Sequence, residues 1–380
     1  MAHADAIVIG AGPSGLSSAA CLRERGLDVM VIEREREVGS SWRRHYERLH
    51  LHTTKRYSAL PMAPWPDDAP MYPSRAQVVE YLDRYAARFG ITPRFGEEVN
   101  GARYEGGEWI VPTSSGEHRA RSLVVATGYN RIPNEPRFAD RDRFTGTVVH
   151  SGAYKNGRAF RGKRALVVGA GNSGAEIALD LWESGAETSI SIRGPIHVVP
   201  RDVFGIPAQY NAIHFFSRIP ASIADRIALS MVGRVYGDLS PYGFRRPDIG
   251  PVTQVLREKK IPLIDIGTVA LIKQGKIRVH PGPRAFTSNG MVFDDGNEAP
   301  FDLVLLATGY RTGLDQILAD AKPHTDGRGY PLCFGTEAAT PGLYFIGYRN
   351  PLTGQLHDIA IEADRIAKDI ASKRATARGS

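Results

Sequence analysis

Residues 144–174 read FTGTVVHSGAYKNGRAFRGKRALVVGAGNSG, a β-branched run that breaks into three glycines spaced as GxGxxG. A second such run, AIVIGAGPSG, occupies residues 6–15. Laid on each other, AIVIGAGPSGLSSAACLRERG and ALVVGAGNSGAEIALDLWESG keep all three loop glycines and the glycine that closes the helix. Each copy reads as strand, tight turn, helix. In the first, Gly10 permits the turn, Gly12 lets backbone approach a pyrophosphate, and Gly15 lets helix and strand pack closely, while Pro13 and Ser14 open the helix whose N-terminus faces the phosphate charge. Gly169, Gly171, Asn172, Ser173 and Gly174 take the same places in the second copy.

Working outward, each copy is followed by an apolar strand ending in the same four letters. RSLVVATGYN carries Ala126, Thr127 and Gly128, and DLVLLATGYRT carries Ala307, Thr308 and Gly309. This internal repeat implies an α/β chain with two nested Rossmann-like dinucleotide-binding domains. The expected division is 1–155 with 312–380 for the first domain and 156–311 for the second. The copies differ after the next strand. LDVMVIE ends on Glu33, about 20 residues past the turn, where a carboxylate can accept hydrogen bonds from both ribose hydroxyls of an adenosine. Its counterpart is Ile192, followed by Arg193. Loss of the carboxylate removes repulsion and a guanidinium can grip a 2′-phosphate, so the second loop reads as an NADPH site, with an ordinary loop arginine as the alternative.

The chain has 380 residues, enough for two domains with their own cores, and is 42% hydrophobic and 23% charged. No run is apolar for long enough to span a membrane, and MAHADAIVIG lacks the basic and long apolar regions of a secretory leader, which makes cytoplasmic residence the expectation. Cys21 and Cys333 are too far apart for a CxxC dithiol or a cysteine-rich metal site. No metal is expected. The net charge of +7 comes from scattered arginine without a dense basic block, which fits phosphate-bearing cofactors better than nucleic acid.

Between the first loop and its ATGY strand, residues 34–73 are polar and Pro-rich at their centre and read as a covering loop. A helix from about Ser74 to Phe89 follows, with Ser74 as N-cap. Gly39 to Trp42, then Arg43, and the stretch His50 to Thr54 are the parts expected against a cofactor ring, although Trp42 also reads as a plain buried aromatic. Residues 95–125 look like a small meander, with Val99 near its start as a candidate cofactor contact. Residues of about 200–255 repeat nothing in the first half and form a helical insertion, readable as a lid, a membrane-surface face or plain core. Strands are expected around Ile264, Ile272 and Val292, then a strand ending at Gly347, a helix to about Ile370 and a frayed ASKRATARGS tail.

The opening stretch also fits FxGxxxHxxxY through Phe144, Gly146, His150 and Tyr154. With two GxGxxG loops and two ATGY strands in this order, the chain resembles the class B flavin-containing monooxygenases over nearly its whole length. YERLHLHTTKRYSALP, YPSRAQVVEYLDRYA, RGPIHVVPRD, GDLSPYGFRRPDIGP and GLYFIGY make it most similar to the YUCCA-type members, which act on indole-3-pyruvate. The resemblance implies a glutathione-reductase-like two-domain architecture, with FAD on the first loop, NADPH on the second, and His150 and Tyr154 beside the cofactors. It implies an NADPH-dependent monooxygenase that forms a C4a-(hydro)peroxyflavin from dioxygen and oxygenates a small organic substrate. Oxidative decarboxylation of an aryl 2-oxo acid, N- or S-oxygenation, and an oxidase-type or non-catalytic flavoprotein all share these cofactor residues. A dithiol reductase is opposed by the missing CxxC. Where animal-type members carry asparagine beside the flavin, this chain has His52, read either as part of the oxygen-reactive face or as a structural imidazole. Baeyer–Villiger members prefer tryptophan where Tyr154 stands.

Overall fold

The protein, described from a computed structural model, is defined at residues 3–349, 351 and 353–379. It divides into two compact units. Unit 1 comprises residues 1–43, 53–132 and 310–380, and unit 2 comprises 44–52 and 133–309.

Unit 1 is built on a seven-stranded sheet. At its centre β1 (His3–Ile9) pairs in parallel with β2 (Val29–Glu33) on one side and with the strand Gly116–Val125 on the other. Helix α1 (Pro13–Arg23) returns the chain between β1 and β2. The meander Arg103–Glu105, Glu108–Thr113, Gly116–Val125 extends the sheet antiparallel, and Leu343–Phe345 joins Leu123–Val125 in parallel. Fully apolar strands fit burial on both faces. Ile7, Ile32, Val111, Leu123 and Phe345 accordingly share one core. The helix expected from Ser74 runs Arg75–Arg88, and Ser74 and Gln77 form a reciprocal capping box at its start.

Unit 2 repeats the plan. Its five-stranded sheet is parallel throughout, in the order Arg278–His280, β4 (Glu187–Ser191), β3 (Arg164–Val168), Leu303–Leu306, Thr147–His150. Helix α2 (Asn172–Glu183) connects β3 to β4. The insertion contains α3 (Ala221–Tyr236) and the helix Pro251–Glu258, whose first turn is capped by Asp225: its carboxylate accepts from Val252 N at 2.7 Å and Thr253 N at 3.2 Å. Among the described residues no helix is long and apolar enough to cross a membrane.

Three expectations need correction. The division falls at 132/133 and 309/310 rather than 155/156 and 311/312, because Thr147–His150 is hydrogen-bonded in register to Leu303–Leu306. Residues 44–52 also belong to unit 2, where Lys155 O accepts Glu47 N at 2.8 Å and Asn156 donates to Glu47 at 3.0 Å. Ile272 lies in a helix, Thr268–Lys273, because the Asp265 carboxylate accepts from Gly267 N and Val269 N and so ends the strand Leu263–Asp265. The C-terminal helix, α4 (Gln355–Gly379), does not stop near Ile370. Lys373 pairs with Asp369 at 2.7 Å and Glu337 at 2.6 Å, and Arg374 with Asp5 at 3.0 Å.

Candidate functional site

The two glycine loops are alike atom for atom where the repeat is strongest. Gly10 has φ +104° and a Cβ there would lie 2.8 Å from Ala126 O, while Gly169 has φ +108° and would meet Ala307 O at 2.6 Å. Each first glycine thus turns the chain against the carbonyl that begins its ATGY corner. A Cβ on Gly15 or Gly174 would sit 1.8 or 1.9 Å from the carbonyl oxygen of that first glycine, which forbids any side chain. Gly12 and Gly171 differ, because a Cβ on either meets nothing within 4 Å. Both stand as N-caps without a side-chain cap, so the first-turn N–H groups of α1 and α2 face open space. That is a cradle of the size and polarity a pyrophosphate fills. Pro13 and Ser14 begin α1, with Ser14 buried under Gly347, whose Cβ would meet Ser14 Oγ at 2.0 Å.

The ends of β2 and β4 separate the cradles chemically. The buried Glu33 carboxylate accepts Ala11 N at 2.7 Å and Glu35 N at 3.0 Å, one bond per oxygen, and each oxygen keeps a lone pair for a ribose hydroxyl. Arg193 is exposed, and among the described residues its guanidinium has no carboxylate partner. Arg245 from the insertion donates to Arg193 O at 2.8 Å, which holds a second guanidinium at the same corner. These residues fit a nucleotide with free ribose hydroxyls in unit 1 and a 2′-phosphorylated one in unit 2.

Thr127 exchanges a 2.7 Å hydrogen bond with Tyr348, and Thr308 donates to Asn134 O at 2.5 Å, so both ATGY threonines brace their own corners. Gly128 and Gly309 take positive φ and open on space. Asn172 accepts Ile264 N at 2.7 Å, which ties the second loop to the strand Leu263–Asp265. Arg43 donates to both oxygens of Asp83 from Nη2 and pairs with Glu37 at 2.9 Å through Nε. Trp42 is half-buried, and Val99 is buried in a bridge to Thr113.

The residues of FxGxxxHxxxY are occupied within unit 2. Phe144 packs on Phe286 at 5.1 Å, and Gly146 leaves no room for a Cβ beside Asp302 O. His150 donates from Nε2 to Gly309 O at 3.1 Å and accepts Gly152 N on Nδ1 at 3.1 Å. Burial holds its imidazole below the usual range, and with both nitrogens bonded to backbone it has no proton to exchange. Tyr154 is buried and donates to Asp180 at 2.5 Å.

His52 is brought to a carboxylate that sequence reasoning passed over. Glu176 sits in α2, 1% exposed, and its Oε2 accepts from Tyr46 OH at 2.8 Å and lies 3.3 Å from His52 Nε2. Its Oε1 has no hydrogen bond and its nearest cation is Arg48 at 3.7 Å, itself held by both oxygens of Glu183. His52 Nδ1 has no partner among the described residues. The sequence did hold a signal: Glu176 aligns with Ser17 of the first copy, and a carboxylate two residues past the third glycine needs cations near it on a helix face that packs inward. His50 is exposed and bonds Arg48 O through Nδ1 at 2.6 Å.

Among the described residues no cluster could hold a metal, and both cysteines are free. Cys21 is buried, which pushes its thiol up to about 11, so it is not a nucleophile at neutral pH.

Residues 7–202 match a family model described as pyridine nucleotide-disulphide oxidoreductase. The indole-3-pyruvate monooxygenase YUCCA1 of Oryza sativa subsp. japonica is 40% identical over 375 residues, covering 96% of this chain and 91% of the relative. YUCCA6 of Arabidopsis thaliana is 39% identical over 96% of this chain and 89% of its own. Among solved structures, a flavin-containing monooxygenase from Stenotrophomonas maltophilia superposes with TM-score 0.73 at 24% identity, over 98% of this chain and 99% of that one. Cyclohexanone monooxygenase with cyclohexanone bound superposes with TM-score 0.77 at 20% identity, over 99% of this chain and 88% of that one. At these identities the solved structures share the fold.

Proposed function

Since this chain belongs to the YUCCA-type flavin-containing monooxygenases and is an FAD- and NADPH-dependent oxidoreductase, we propose that its substrate is an aryl 2-oxo acid of the indole-3-pyruvate kind. The reaction consumes one dioxygen, one NADPH and one proton, and yields CO2, water, NADP+ and an acid one carbon shorter. The carrying observation is the 40% identity to an indole-3-pyruvate monooxygenase across nearly the whole of both chains. When bound, FAD takes a hydride from NADPH and activates dioxygen.

The chain's own residues bind and orient. In this reading the N–H groups of Ser14 and Gly15 at the start of α1 hold the FAD pyrophosphate, with Pro13 shaping the turn, Glu33 holds its ribose, and the Thr127 and Gly347 corners line its path. Asn172 to Gly174 hold the NADPH pyrophosphate, and Arg193 grips the 2′-phosphate. His52 is the catalytic candidate. The Glu176 carboxylate accepts from the imidazole at Nε2, which orients the ring and leaves Nδ1 to meet substrate or a water molecule. Glu176 is a positioning residue, and Tyr46 fixes it by a hydrogen bond to the same oxygen.

The test is product analysis under aerobic NADPH turnover with indole-3-pyruvate, phenylpyruvate, a tertiary amine and a thioether. Release of one CO2 per NADPH with either 2-oxo acid supports the proposal. An N-oxide or sulfoxide made in a coupled reaction, with only peroxide from the 2-oxo acids, would replace it by heteroatom oxygenation.

A further inference from the structure

Unit 2 contains a cavity of about 550 Å³ that none of the cofactor residues lines. It lies within the insertion, between α3 and the strand Val198–Pro200, and is closed on another side by residues 237–246. Its walls are apolar: Val198, Leu229, Val232, Leu239 and Phe244. The volume is that of a small-molecule site rather than a packing defect.

Three polar groups meet this wall in a definite arrangement. His197 is buried and its Nε2 lies 2.7 Å from Ile249 O. A carbonyl only accepts, so Nε2 carries the hydrogen and Nδ1 is the acceptor. That Nδ1 has no partner among the described residues. Burial lowers the ring's affinity for a proton, an effect that the Ile249 carbonyl and Asp225 oppose and to which Arg246 and Lys260 add. Arg246 is exposed at the cavity and forms no ion pair among the described residues. Asp238 accepts Ser240 N at 2.9 Å, and hydrogen bonding from Ser240 favours its ionised form, to which the Arg246 charge adds. A cation and an anion stand at the exposed rim, and the acceptor belongs to a side chain that is buried as a whole and lines the cavity.

Gly233 supplies an independent sign. It lies inside α3, where glycine costs about 1 kcal/mol relative to alanine. It does not take positive φ, and a Cβ there would meet nothing within 4 Å, so neither backbone geometry nor close packing demands glycine. Gly233 is exposed and lines the cavity, so a large side chain there would compete for space at its mouth.

We propose that this cavity is a second ligand site, and that it takes an aromatic α-amino acid whose ring carries an N–H or O–H donor. The ring lies between α3 and Phe244 with its donor on His197 Nδ1, the carboxylate meets Arg246, and the ammonium meets Asp238. The proposal does not rest on the substrate reading, but it bears on supply: a 2-oxo acid of the aryl class is what deamination or transamination makes from such an amino acid. The site would register the precursor while the flavin site consumes the product of that step.

Calorimetry on the FAD-loaded enzyme with NADP+ present tests this with L-tryptophan as the probe, and with L-tyrosine, L-phenylalanine and indole-3-acetate as arms. L-tryptophan is expected to bind one per chain. L-phenylalanine, without a donor, and indole-3-acetate, without an ammonium, should each bind at least about tenfold more weakly, the scale of one lost hydrogen bond or ion pair in a partly buried site. Arg246→Ala should weaken L-tryptophan by a similar factor. Gly233→Leu should abolish binding, while Gly233→Ala keeps it and both retain FAD. Absence of binding at millimolar L-tryptophan overturns the proposal, and so does binding that Gly233→Leu leaves unchanged, since the ligand would then sit elsewhere. Both readouts are independent of turnover, so failure of the 2-oxo acid reaction would leave them standing.

Discussion

Arg193 shows how a single position divides two otherwise equal loops. Its guanidinium is exposed beyond β4, where Glu33 ends β2 in the other copy with one backbone bond on each oxygen and a lone pair to spare. Arg193→Ala should raise the KM for NADPH roughly 10- to 100-fold, the scale of a charge-assisted pair, and leave that for NADH within about twofold. Equal changes in steady-state assays would remove the 2′-phosphate role. His52→Gln should lower kcat/KM for the 2-oxo acid by roughly 10- to 100-fold with FAD content unchanged. Glu176→Ala is a different experiment. It strands the buried Tyr46 hydroxyl and His52, and denaturant titration should show a loss of roughly 2–4 kcal/mol. Glu362 offers a pH test. Buried in α4 with Oε2 accepting Gly347 N and Oε1 unpartnered, its carboxyl is pushed up to about 7 by burial. The folded state then holds this proton where the unfolded chain has released it, so the group costs stability as pH rises from about 4.5 through 7. Glu362→Gln should raise stability at pH 8.5 by on the order of 3 kcal/mol at most, seen as a higher Tm, and leave Tm at pH 4.5 unchanged.

At the scale of elements, legibility followed locality. The glycine turns, the Ser74 cap and the meander were readable because each depends on a few neighbouring residues with one geometric solution. The helix Thr268–Lys273 was not, because Asp265 three residues upstream, and not the apolar letters of TVALIK, decides it. The end of α4 was hidden for a related reason. ASKRATARGS is polar throughout, yet Lys373 and Arg374 find acidic partners more than 30 residues away at Glu337 and Asp5. Deleting residues 373–380 should therefore lower stability measurably, by about 1–3 kcal/mol in urea titration, where a frayed tail would cost nothing. The His52–Glu176 contact joins residues 124 apart and the fingerprint residues turned inward to backbone and core, facts that no spacing rule carries.

At the scale of the molecule, the chain passes between its two units four times, at 43/44, 52/53, 132/133 and 309/310. The nine residues 44–52 are the shortest of these passages, yet they bring Tyr46, Arg48 and His52 to a carboxylate that is otherwise buried without cover. Unit 2 is consequently not a cassette. A recombinant that exchanges residues 133–309 between two relatives, and leaves 44–52 behind, would graft one parent's acid onto the other parent's bases. Crossover libraries built from this family should lose folded members wherever those two inheritances are separated.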